Sequence, residues 1–147
     1  NLNFPYINNN QLYKDPNIVS ASISNAAQYM LSKTSWLKNK EQHFKSIIKE
    51  ENKILLLSGS CGLEIIRNMN LLKEEKEKIH IIAYGGDAKE IPDFKYLTLV
   101  QSKNDWISRI WIKDYDLMIE GNHMNYLQSS QLLNFINEYV GKMESSL

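Results

Sequence analysis

Three side chains that together can break an acyl bond stand far apart in this chain: Ser60, Asp105 and His123. Ser60 lies in Ser58-Gly59-Ser60-Cys61-Gly62, where every residue is small. A serine exposed on a sharp strand-to-helix turn brings its neighbours against adjacent backbone, and larger side chains would obstruct that approach. The same turn aims the first amides of the following helix at the reacting atom, so the N–H of Cys61 can stabilise an oxyanion. Ser60 is therefore a candidate nucleophile. The small-x-nucleophile-x-small frame centres on Ser60, which leaves Cys61 inside the first helical turn as a backbone donor. A phosphate-binding loop has a similar glycine-rich form. The chain lacks a Gly-x-x-x-x-Gly-Lys-Ser/Thr run, and the turn lacks the spacing of a dinucleotide fingerprint.

Asp105 follows the apolar run Tyr96 to Val100, and His123 follows Asp116 to Glu120 in Gly121-Asn122-His123-Met124. If both runs are parallel strands, the turns at their carboxyl ends converge on one edge of the sheet. His123 would then take the Ser60 proton while Asp105 orients the imidazole. Asp87, in Gly85-Gly86-Asp87 after an earlier strand, is the competing acid. The reading favours Asp105. Asp114 and Asp116 are expected to cap or solvate a loop, and His80, alternating with apolar neighbours, to be a satisfied core or edge residue.

The elements that must position these groups follow from apolar periodicity. Phe4-Pro5-Tyr6-Ile7 reads as a strand end entering the polar Asn8-Asn9-Asn10. Asp15 and Pro16 open a helix with Val19, Ile23, Ala26, Ala27 and Met30 on one stripe. A second helix is expected from Ser35 to Glu50, with Leu37, Phe44, Ile47 and Ile48 inward and His43 at the surface. Ile54-Leu55-Leu56-Leu57 is continuously apolar, as a strand covered on both faces would be, and is the best candidate for a central strand. Helical spacing resumes at Ile65, Ile66, Met69 and Leu72. Strands are expected at Ile79 to Tyr84, Tyr96 to Val100 and Asp116 to Glu120, with no room for a helix between the first two. A last helix, capped by Ser129 or Ser130, should turn Leu132, Leu133, Ile136, Tyr139, Val140 and Met143 inward.

Bulk properties narrow the partners. The 147 residues suit one domain, here taken as 1–147. Lys plus Arg and Asp plus Glu number 17 each, so no net field draws the chain to nucleic acid or an anionic membrane. The run Lys73-Glu74-Glu75-Lys76-Glu77-Lys78 alternates in sign, as an exposed helix end would. Cys61 is the sole cysteine, which excludes an intrachain disulfide and suits a reducing, cytoplasmic setting. No apolar stretch approaches the roughly 20 residues needed to span a bilayer. The three histidines share no close spacing, so no metal is expected. Trp106, Trp111 and Tyr115 near Asp105 could line an acyl pocket.

From Leu55 to Val140 the chain resembles an α/β-hydrolase, in particular the small, lidless bacterial lipases and esterases. The resemblance rests on Ser58-Gly59-Ser60-Cys61-Gly62, on Leu99 to Ile107 carrying Asp105, and on Ile119 to Leu127 carrying His123. It implies a three-layer α/β/α sandwich with a mostly parallel sheet, trimmed on its N-terminal side. It also implies a Ser60-Asp105-His123 triad that hydrolyses an ester or thioester through an acyl-enzyme, with no cofactor. Ser58 stands where the commoner elbow has glycine. By position, the second oxyanion donor would be the N–H of Ile7 or Asn8. The competing expectation is a non-catalytic domain of the same ancestry that binds a ligand or protein partner.

Overall fold

The computed structural model describes residues 35–145. The expected strand end at Phe4 to Ile7, the helix after Asp15 and the oxyanion role of Ile7 lie outside the described residues.

Helix α1 (Ser35–Glu50) buries Leu37, Phe44 and Ile48, with Ile47 packed beside them, a stripe set by the helical period. Strand β1 (Ile54–Gly59) runs into the turn at Ser60 and Cys61 and then into α2 (Gly62–Arg67). The alternating charge run becomes α3 (Lys73–Glu77), which buries none of its residues. Next come β2 (Ile79–Tyr84), β3 (Tyr96–Ser102), α4 (Trp106–Trp111), β4 (Leu117–Ile119), a 3₁₀ turn (Tyr126–Gln128) and α5 (Ser130–Glu144). The four strands form one sheet in the order β1-β2-β3-β4, and all three pairings are parallel. The protein is thus an α/β structure.

Strand side chains alternate between two apolar clusters. Ile79, Ile81, Ala83 and Leu99 join α1 and α2, whereas Ile82, Val100 and Ile119 join Leu132, Phe135, Ile136 and Tyr139 of α5. The link from β2 to β3 contains no helix, and it buries Gly85, Gly86, Ala88, Pro92 and Phe94. Among the described residues, no helix is long and apolar enough to cross a membrane.

Several details depart from the sequence reading, among them Leu72, which lies beyond α2 and is 60% exposed. Within the described residues β1 is an end strand, paired only with β2, and its Leu57 is 42% exposed. The central places belong to β2 and β3, because an apolar run does not specify which edges find a partner. Leu133 is 43% exposed rather than inward, and Phe135 packs on the sheet instead. The short helix α4 was not expected at all. It is capped by Asp105, whose carboxylate accepts from the amides of Ile107 and Ser108.

Candidate active site

Each of the four parallel strands ends next to a residue with usable chemistry: Ser60 after β1, Asp87 after β2, Asp105 after β3 and His123 after β4. Parallel pairing puts all four carboxyl ends at one edge.

The turn after β1 is strained. Ser60 has φ 49°, the single positive φ among the described non-glycine residues. Such a conformation costs on the order of 1–3 kcal/mol and persists only where the surroundings enforce it. Two backbone bonds do so: Ser60 N–H donates to the Tyr84 carbonyl at 3.3 Å, and Asp87 N–H donates to the Ser60 carbonyl at 3.1 Å. Close approach explains the small flanking residues. A Cβ on Gly62 would lie 2.7 Å from Ser58 Oγ, and one on Gly59 would lie 2.8 Å from the Tyr84 ring. The Cys61 side chain is buried, and burial pushes its thiol up to about 11, so it stays protonated at neutral pH.

Asp105 and His123 meet. Asp105 Oδ2 lies 2.9 Å from His123 Nδ1 and also accepts from the Tyr126 hydroxyl at 2.8 Å. Its Oδ1 accepts from the amides of Ile107 and Ser108, both at 3.1 Å. Burial alone would raise this fully buried acid. The bonds from His123, the Ser108 amide and Tyr126 outweigh burial and hold the carboxyl well below the usual carboxylate range. An ionised carboxylate only accepts, so Nδ1 carries the proton and Nε2 is left free to act as a base. The bond to Asp105 raises His123 above the ordinary histidine value. Burial opposes that rise, and the charges of Asp105 and Asp87 add to it.

The loops after β3 and β4 are fastened directly. Lys103 N–H donates to the Ile119 carbonyl at 3.0 Å, and Asn104 N–H donates to the Gly121 carbonyl at 3.2 Å. These bonds extend the β3–β4 pairing past the strand ends and carry Asp105 to His123. The structure therefore joins the imidazole to Asp105 and not to Asp87. Asp87 is tied to the nucleophile turn instead, its N–H bonded to the Ser60 carbonyl, and its carboxyl feels the charge of His123.

Sequence reasoning missed Tyr126. Its hydroxyl donates to Asp105 and accepts from the Ser102 amide at 2.8 Å, which fixes the acid from a second direction. No motif announces it beyond its place three residues after His123. Trp106, Trp111 and Tyr115 are exposed, at 69%, 52% and 48%, which does not fit the acyl-pocket lining expected of them. His80 is satisfied, with its Nδ1 2.9 Å from the Tyr139 hydroxyl and its ring stacked on Tyr96. Asp116 accepts from the Leu99 amide at 2.7 Å, as befits a loop-fixing residue.

Gly85 permits the Asp105 cluster to close. It has φ 54°, and a Cβ there would lie 2.7 Å from the Tyr126 ring and 3.1 Å from Asp105 Oδ2. Gly85→Ala is expected to cost about 3 kcal/mol, combining backbone strain with overpacking. Urea unfolding should show it as a lower midpoint at unchanged slope, and an unchanged midpoint would contradict the steric account.

No protein-family model matches this chain, and no curated protein matches it.

Proposed function

We propose that this chain is a serine hydrolase of the α/β-hydrolase type, built as a minimal three-layer α/β/α sandwich, that cleaves an ester or thioester. The observation that carries the reading is the Asp105–His123 pair, its carboxylate buried and fixed by Tyr126, at the sheet edge where Ser60 occupies a strained strand-to-helix turn.

Ser60 Oγ attacks the substrate carbonyl carbon as His123 Nε2 removes the hydroxyl proton. The carbonyl electron pair moves to oxygen, and the Cys61 N–H stabilises the oxyanion. When the pair returns, the alcohol or thiol leaves with the proton held on His123. Water activated by the same nitrogen then attacks the acyl-enzyme, which releases the acid and restores Ser60. Asp105 stays ionised throughout and steadies the imidazolium formed at each step.

The competing reading is a non-catalytic binding domain, in which the turn at Ser60, tied by its carbonyl to the Asp87 amide, is only a structural corner. A fluorophosphonate probe separates the two readings, because it labels an activated serine whatever the natural substrate. Wild-type protein should be labelled at Ser60, and Ser60→Ala should not. Folded wild type that stays unlabelled would leave the binding-domain reading standing.

A further inference from the structure

The exposed apolar side chains of this protein are concentrated rather than scattered. Ten large ones are exposed among the described residues, and six of them, Trp106, Ile110, Trp111, Tyr115, Met124 and Leu127, lie in two short segments. One segment follows Asp105 and the other follows His123, so the 2.9 Å contact between that pair draws both to the same end of the sheet. Single exposed apolar residues are ordinary, whereas a concentration of them on one part of a surface marks a contact site. Helix α4 buries only Ser108 and carries Trp106 and Ile110 one turn apart on one face. Its apolar side chains therefore point outward instead of enclosing a groove.

The charge around them has one sign. Between Ser102 and Lys113 the exposed charged residues are Lys103, Arg109 and Lys113, and the one acid, Asp105, is fully buried. Lys103 pairs with Glu120. Arg109 donates to the Ser102 and Lys103 carbonyls at 3.5 and 2.7 Å, which fixes its guanidinium without neutralising it. Arg109 and Lys113 have no ion-pair partner among the described residues. Acidic side chains resume at Asp114. The whole chain is neutral, so any attraction here is local, and at physiological salt it acts over only about 8 Å.

We propose that α4 and the loop after His123 dock this protein on an anionic lipid surface. Indole rings, with an apolar body and one N–H, settle at the boundary between acyl chains and headgroups. Arg109 and Lys113 meet the phosphate and carboxylate groups of those headgroups. A soft surface accommodates outward-facing rings, whereas a folded protein partner would need a cavity shaped to them. Docking in this way turns the sheet edge that bears Ser60, Asp105 and His123 toward the lipid. The contact uses none of those three side chains, so it goes beyond the hydrolase reading and does not depend on it.

The test is co-sedimentation of the full chain with sucrose-loaded vesicles, either of phosphatidylcholine alone or with about 30% phosphatidylserine. Wild type should partition onto the phosphatidylserine vesicles at least about tenfold more strongly than onto the neutral ones, and the excess should fall as salt is raised. Trp106→Ser combined with Trp111→Ser should lower binding to both vesicles by at least about tenfold. Lys113→Glu should remove most of the preference for phosphatidylserine and leave neutral binding unchanged. All three side chains are exposed, and circular dichroism verifies that each variant is folded. Wild type that stays in the supernatant, equal binding to both vesicles, or binding that survives in the folded double tryptophan variant would overturn the proposal. So would a concentration-dependent dimer in size-exclusion chromatography that the tryptophan variant loses, because the patch would then belong to a second copy of the chain.

Discussion

Replacing either Ser60 or His123 with alanine is expected to lower kcat on an activated ester by roughly 10⁶-fold, and replacing both to do no further damage. The two residues act as one unit. The imidazole contributes by taking the Ser60 proton and returning it to the leaving group, so without the hydroxyl it has nothing to act on. The hydroxyl without its base is a weak nucleophile. A residual rate of about 10³-fold over water should survive in every variant, supplied by backbone oxyanion donors and substrate binding. The measurement is a double-mutant cycle on one 4-nitrophenyl ester, with circular dichroism to verify folding. Losses that add in the double variant would mean that Ser60 and His123 do not share a proton, and the proposed cycle would fail.

Asp105→Asn should lower kcat by about 10⁴-fold while leaving the fold largely intact. An asparagine oxygen can still accept from the Ile107 and Ser108 amides, so the start of α4 keeps its cap. The amide group, however, can offer N–H toward Nδ1, which moves the imidazole proton to Nε2 and removes the base. The same pair sets the pH dependence. His123 is raised by its bond to Asp105, so the acidic limb of the kcat/KM profile should lie above about 6.5, the ordinary histidine value. Activity needs the neutral imidazole and therefore increases as pH rises through that limb.

Stability runs in the opposite direction. A raised native value means that the His123 contribution is complete below about 6.5 and is lost as pH rises through the native value. Asp105 is depressed, so its contribution is present above about 3.9 and is lost only as pH falls through its native value. Urea unfolding across pH, compared between wild type and Asp105→Asn, reads both. An acidic limb at or below 6.5 in wild type, or an unchanged limb in the variant, would remove Asp105 from its assigned place.

Much of the local architecture could be read without coordinates. The stripe Leu37, Phe44, Ile47 and Ile48 gave α1 its bounds, and the small residues around Ser60 marked a strand turning into a helix. Where the reading failed, the signal was ambiguous or absent. Leu133 and Phe135 are both apolar and lie on opposite sides of the stripe centred on Leu132 and Ile136, so periodicity alone did not choose between them. Helix α4 spans six residues, Trp106 to Trp111, with only Ser108 buried, so it carries almost no inward apolar pattern.

The chain by itself determined the alternation of apolar runs with glycine-bearing turns and the order in which serine, acid and histidine occur, because these depend on neighbours a few residues away. Which carboxylate meets the imidazole was decided only in three dimensions. Asp87 and Asp105 follow adjacent strands, and chain order favoured Asp105 without fixing the contact; the β3–β4 pairing continues through Lys103 and Asn104 and draws Asp105 to His123. Asp87 is instead tied by its own amide to Ser60. The physical reason is that such hydrogen bonds join residues about 17 or 27 positions apart, and strand register, not local preference, sets their partners.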